Sequence, residues 1–82
     1  MKFWDASALV PLVAQDQANE ALESQYGDGS DVWVWWVTPV EIASSIARRE
    51  RHGEMTTAEA SAGLATLAAM VAAWHEVQPG PA

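Results

Sequence analysis

Cysteine is absent from the 82 residues, which excludes disulfides, thiolate zinc sites and cysteine nucleophiles. The chain therefore has none of the staples that small secreted domains depend on, and an intracellular setting is expected. Bases are scarce: four Lys and Arg stand against eleven Asp and Glu, for a formal net charge of −7. Neutralising phosphate needs concentrated cations, so a surface that grips nucleic acid over its whole extent is excluded. Long hydrophobic runs are missing as well. No apolar stretch approaches the ~18 residues that span a bilayer, and Met1-Lys2-Phe3-Trp4-Asp5 offers one base and then an acid rather than an export signal. A cytoplasmic protein without membrane association is the expectation. There is no internal repeat or low-complexity stretch, and no glycine-rich phosphate loop, because Gly27 and Gly29 precede a strand-like run rather than a helix.

Half of the residues are apolar, as in one small domain. A chain this short hides only roughly 60–65% of its unfolded surface, so its core has little margin for error. Short apolar runs alternate with helical segments, which predicts an α/β unit. Lys2 to Trp4 reads as a first strand ending at Asp5. Ser7 is then placed to cap a helix through Val13 with Pro11 in its first turn. Asp16 is placed to cap a second helix through Ala18, Ala21, Leu22 and Gln25, closed by Tyr26-Gly27, and Asp28 to Asp31 reads as a polar turn. Val32-Trp33-Val34-Trp35-Trp36-Val37 is apolar on both faces, as in a strand covered by helices on either side.

Thr38-Pro39-Val40-Glu41 carries the signature of a capping box: threonine at N-cap, proline at N1, glutamate at N3. Gly53 ends that third helix. Thr56, Thr57 and Glu59 open a fourth, where Ala60, Leu64, Leu67, Val71 and Trp74 form a stripe expected in the core. His75 to Gln78 reads as a short third strand before the Pro79-Gly80-Pro81-Ala82 tail. The five tryptophans are expected mainly in the core, and His52 and His75 on the surface. The pattern predicts a parallel sheet of two to three strands with about four helices.

This topology brings distant acids to one place. Asp5 ends the first strand and Glu41 follows the second, in the first turn of the helix that leaves it. Ligands of open α/β sheets bind at the carboxyl ends of strands, and neighbouring strands lie ~4.8 Å apart, so the two carboxylates can converge. Asp28 and Asp31 precede the second strand and belong to its other end, some ~20 Å away. Two carboxylates at a strand-end crevice are hard ligands suited to Mg²⁺ or Mn²⁺, which draw further ligands from substrate phosphates.

Each residue also has a purely structural explanation. Glu41 is either a capping-box partner of Thr38 or a ligand, and Asp5 is either a helix cap or a carboxylate at a sheet end, where burial is costly without a cation. Ser7 is a cap or a donor to Asp5. Arg48, Arg49 and Arg51 form either a solvated helix end that suits the helix dipole or a local anion contact.

Lys2 to Leu12, with Asp5 and a serine two residues on, Thr38-Pro39-Val40-Glu41-Ile42-Ala43-Ser44-Ser45-Ile46-Ala47-Arg48-Arg49, and the Gly53-Glu54-Met55-Thr56 turn together resemble the first half of a PIN domain of the VapC-type toxin group. The resemblance runs from Lys2 to about Pro79. It implies a PIN-like, Rossmann-like, three-layer α/β/α fold, present as the N-terminal part of a single domain over residues 1–82. It also implies a toxin of a toxin–antitoxin pair, a ribonuclease whose clustered acids hold Mg²⁺ or Mn²⁺ and hydrolyse RNA phosphodiester bonds with an activated water. Asp5 and Glu41 match the family's first two catalytic, metal-holding acids, Ser7 stands as a supporting donor, and Arg48 as a contact to RNA or to the antitoxin.

The family's remaining acids, on later strands and helices, have no counterpart in the sequence. A truncated domain with weak or no nuclease activity as an isolated monomer is therefore expected. The alternative function is binding by a catalytically incomplete half-domain to an antitoxin or a homologous chain. An open edge on the first strand is expected to favour a homodimer or completion by another chain.

Overall fold

Lys2–Phe3 form β1, the first of three short strands in a computed structural model that describes residues 2–15 and 20–80. The order continues with α1 (Ala6–Val13), α2 (Glu20–Tyr26), β2 (Val32–Trp35), α3 (Thr38–Arg51), α4 (Thr57–Val71) and β3 (His75–Val77). All neighbouring strands are parallel, in the spatial order β1-β2-β3. The expected small α/β protein with four helices and a parallel three-stranded sheet is what forms. Asp16 and Ala18, expected in the second helix, lie outside the described residues.

Two parallel crossovers that step the same way across a sheet, each right-handed, lay their helices on one face. The core matches this. Val32 and Val34 of β2 are fully buried against Leu9, Val10 and Val13 of α1, Ile42 and Ile46 of α3, and Ala60 and Leu67 of α4. Each such aliphatic side chain, taken fully from water, contributes about 1.5–3 kcal/mol. The coverage expected on both faces of β2 is not found among the described residues. The strand ends at Trp35, two residues earlier than predicted; Trp33 is half-buried and Trp35 is 54% exposed. Of the five tryptophans only Trp4 and Trp74 are buried, whereas Trp36 is 47% exposed.

Helix boundaries follow local chemistry, with three departures. The first concerns α1, whose N-cap is Asp5 rather than Ser7. Pro11 consequently lies inside the helix, beyond its first turn, and leaves the Ser7 carbonyl without an i+4 donor. The second concerns α3, whose N-cap is Val37 in helical conformation, φ −84° and ψ −15°, so Thr38 is already inside and buried. The third concerns α4, where Leu64 is exposed and Gly63 takes the expected core position. A Cβ on Gly63 would sit 3.4 Å from Ile46 Cδ1, so the small residue marks the close approach of α3 and α4.

Other signals read true. Gly53, at φ +76°, ends α3 in a Schellman motif: the Glu54 N–H donates to the Arg49 carbonyl (2.8 Å) and the Gly53 N–H to that of Glu50 (3.1 Å). At α4 the capping box is complete, with the Glu59 N–H donating to Thr56 Oγ1 (3.0 Å) and the Thr56 N–H to Glu59 Oε1 (2.9 Å).

The loop before β2 is held by Tyr26. Trp74 Nε1 donates to its hydroxyl at 2.7 Å and the Trp4 ring meets its ring edge-on, centroids 5.8 Å apart. Gly29 crosses directly over it at φ +84°, where a Cβ would lie 2.6 Å from the hydroxyl oxygen. In the same turn the Ser30 hydroxyl and backbone N–H both donate to Asp28 Oδ1, at 2.6 and 2.9 Å. These bonds, the hydroxyl's first, hold the Asp28 carboxyl below its usual range. Their contribution is therefore present at neutral pH and lost as the pH falls through that lowered value.

Two substitutions measure these constraints by urea denaturation. Thr56→Ala is expected to cost about 1 kcal/mol by removing a cap. Gly29→Ala is expected to cost roughly 2 kcal/mol or more, from the left-handed backbone and the collision with Tyr26. An unchanged midpoint for Gly29→Ala would mean that Tyr26 does not lie beneath the loop.

Candidate active site at the carboxyl edge of the sheet

Asp5 leaves β1 in extended conformation, φ −90° and ψ 151°, and its carbonyl receives the Ala8 and Leu9 N–H groups at 3.0 and 3.3 Å. The backbone of Asp5 is thus the N-cap of α1, yet its carboxylate makes no capping bond. Instead Asp5 Oδ2 accepts a hydrogen bond from the Ser7 hydroxyl at 2.7 Å. Of the two roles open to Ser7, the structure selects the donor and rejects the cap. Asp5 itself is exposed.

Glu41 occupies the first turn of α3 and is exposed. The capping box expected with Thr38 does not form, because the helix begins one residue early and the Glu41 N–H goes to the Val37 carbonyl at 3.0 Å. Among the described residues no side chain engages the Glu41 carboxylate. The structural explanation that competed for this residue is thereby removed.

Both acids stand at the carboxyl edge of the sheet, one after β1 and the other after β2, on adjacent parallel strands. Helices α1 and α3 start at the same edge, and their positive ends favour anionic groups there. Asp28 and Asp31 stay at the amino edge, where the Asp31 carbonyl accepts the Lys2 N–H at 3.2 Å. Arg48 is exposed in the last turn of α3. Seven residues separate it from Glu41, about 10 Å along the helix axis, so it shares that side of α3 but lies toward the opposite end. Arg48, Arg49 and Arg51 cluster where the dipole favours cations, and the Arg49 carbonyl closes the turn into α4.

The donors present are hard carboxylate oxygens open to solvent, and Mg²⁺ is commonly bound by one or two carboxylates with substrate phosphates completing its shell. Asp5 and Glu41 fit that group in kind. Among the described residues no set of three or more His, Asp or Glu gathers around one point. Beside Asp5 an open depression runs along the free side of β1, lined by Phe3, Trp4, Ala8 and Leu22.

Three residues at this edge were not singled out from sequence: Trp36, Val37 and Val40, all exposed. For Trp36 and Val37 the signal lay in the length of the apolar run, six residues leading directly into Thr-Pro, too long for a strand that must turn before α3. Among the described residues no helix is long and apolar enough to cross a membrane. Compared with known proteins, the chain matches no family profile and no curated sequence.

The unused carboxylate of Glu41 has a measurable consequence. Glu41→Ala is expected to change stability by no more than about 0.5 kcal/mol, whereas Glu59→Ala, which breaks a formed box, should cost about 1 kcal/mol in the same urea titration. Equal losses at the two positions would return Glu41 to a capping role.

Proposed function

We propose that the chain is a PIN-like, VapC-type toxin of a toxin–antitoxin pair, a Mg²⁺- or Mn²⁺-dependent endoribonuclease that hydrolyses RNA phosphodiester bonds in the cytoplasm. One observation carries this reading: Asp5 and Glu41 lie at the carboxyl ends of adjacent parallel strands with neither carboxylate used by its helix. The motif resemblance supplies the family and the substrate class.

In this reading Asp5 and Glu41 hold the divalent ion. When bound, the ion supplies neutralisation of phosphate charge and activation of the attacking water. Ser7 fixes the Asp5 carboxylate through its 2.7 Å hydrogen bond to Oδ2 and would steady it as a ligand. The N-termini of α1 and α3 favour the phosphate at that edge. Arg48 meets a phosphate further along the RNA, or the antitoxin. Two protein carboxylates leave most of the ion's shell to water and substrate, so weak metal affinity and slow or absent cleavage by the isolated chain follow.

A second reading, a catalytically incomplete unit that binds an antitoxin or a homologous chain, is favoured by the exposed Trp35 and Trp36 at the carboxyl end of β2.

A Mn²⁺ titration by calorimetry, with cleavage of a mixed RNA followed in the same samples, separates the two. The nuclease reading expects weak binding that is lost in Asp5→Asn and in Glu41→Gln and weakened about tenfold in Ser7→Ala. A folded wild type that neither binds Mn²⁺ nor cuts RNA would remove the metal site and leave the binding reading.

A further inference from the structure

Along β1 the backbone groups alternate between two sides. The Lys2 and Trp4 N–H groups donate toward β2, to the Asp31 and Trp33 carbonyls at 3.2 and 2.8 Å. Alternation turns both the N–H and the C=O of Phe3, which lies between them, to the free side of the sheet. Among the described residues nothing pairs with either group. The Phe3 ring is engaged elsewhere. With Trp33, Trp35, His75 and Val77 it makes a largely aromatic face away from the helices, where it meets Trp35 edge-on with centroids 5.4 Å apart. What Phe3 offers to the free side is its main chain.

That donor and acceptor border the depression beside Asp5. Its volume is about 720 Å³, inside the ~300–1,000 Å³ of small-molecule sites and far more than an ion fills. Trp4, Ala8 and Leu22 supply apolar lining. Asp5 stands at one end and Lys2 at the other, where Lys2 Nζ donates to the Gln25 carbonyl at 2.8 Å and keeps two further donors. Lys2 is the only Lys or Arg outside α3.

These features select the occupant. A strand from another chain needs a row of outward pairs, whereas β1 is two residues long, and strands that short resist pairing. An aliphatic ligand would cover the Phe3 donor and acceptor without pairing them, which is costly. The Watson–Crick edge of a nucleobase sets an acceptor beside a donor on a flat ring, the complement of one residue's N–H and C=O above an apolar lining. Phe3 stands two residues, ~7 Å, from Asp5, a span that the sugar and ring of one nucleotide cover.

We propose that this depression is a subsite for a base of the RNA: its edge pairs with the Phe3 main chain, its ring lies along Trp4, Ala8 and Leu22, and its phosphate meets the ion at Asp5. The proposal deepens the nuclease reading and rests on it for the phosphate. Lys2 adds the attraction for an anionic ligand that a chain of net charge −7 otherwise lacks at this edge.

Amide proton–nitrogen NMR spectra of the whole chain test it, with Mn²⁺ alone, AMP with Mg²⁺, and ribose phosphate with Mg²⁺ as probes. AMP is expected to move the Phe3 amide proton downfield, as a new hydrogen bond does, and to shift Ala8, Leu22 and Gln25 with a millimolar dissociation constant. Ribose phosphate, which has no base, should leave these signals in place. Phe3→Pro and Phe3→Ala both lose the ring, but only the proline lacks the outward N–H, and an edge strand tolerates it there. Phe3→Pro should therefore bind AMP about fivefold or more weakly than Phe3→Ala. Should Phe3→Pro fail to fold by far-UV circular dichroism, the wild-type Phe3 amide decides. Line broadening by Mn²⁺ around Asp5 reads the metal site separately. Broadening there with no Phe3 response to AMP, an equal response to ribose phosphate, or equal AMP affinity in the two folded variants would overturn the base subsite and spare the metal reading. A Phe3 response without Mn²⁺ broadening would instead overturn the metal reading alone, and neither signal would overturn both.

Discussion

The right-handed crossover between parallel neighbours is the constraint on which this molecule turns. Because both connections step from β1 to β2 to β3 in one direction, the helices collect over Val32 and Val34, and every strand delivers its carboxyl end to the same edge. The edge at which Asp5 and Glu41 both stand and the face left to Phe3 and Trp35 are therefore two results of one geometry. A chain that reversed direction across the sheet would place helices on both faces, as the apolar run of β2 suggested.

How far the sequence could be read depended on whether a signal was local and complete. Thr56 and Glu59 formed the box their spacing implies because the residue before Thr56 is outside the helix and the Thr56 backbone is extended, at φ −73° and ψ 164°. Thr38 and Glu41 have the same spacing and failed, because Val37 had already entered helical conformation on leaving the sheet. Nothing in four residues reveals that; it is decided by how the chain exits β2. Gly53 and Gly27 were legible as helix ends because positive φ has one cheap residue. Gly63 was not, since its role lies in how closely Ile46 approaches from another helix.

The candidate site shows the same division. The positions of Asp5 and Glu41 at the strand ends followed from element order, and so did the exclusion of Asp28 and Asp31. The partnership of Ser7 with Asp5 depended on which residue begins α1, a one-residue difference that turns a cap into a donor. Side-chain freedom at Glu41 was likewise invisible until the helix start was known. The aromatic face escaped notice for a different reason: period-two alternation tells which residues share a side, but not whether anything comes to cover it.

The bond from Trp74 to Tyr26 closes 48 residues of chain. Helix α2 is seven residues long and buries no side chain fully, so on its own it is far below the length at which a helix persists in water. Its Tyr26 is held by an indole that lies 48 residues further along the chain. The turn that aligns β2 thus depends on a contact of long sequence separation, made only once the chain between Tyr26 and Trp74 has folded back on itself.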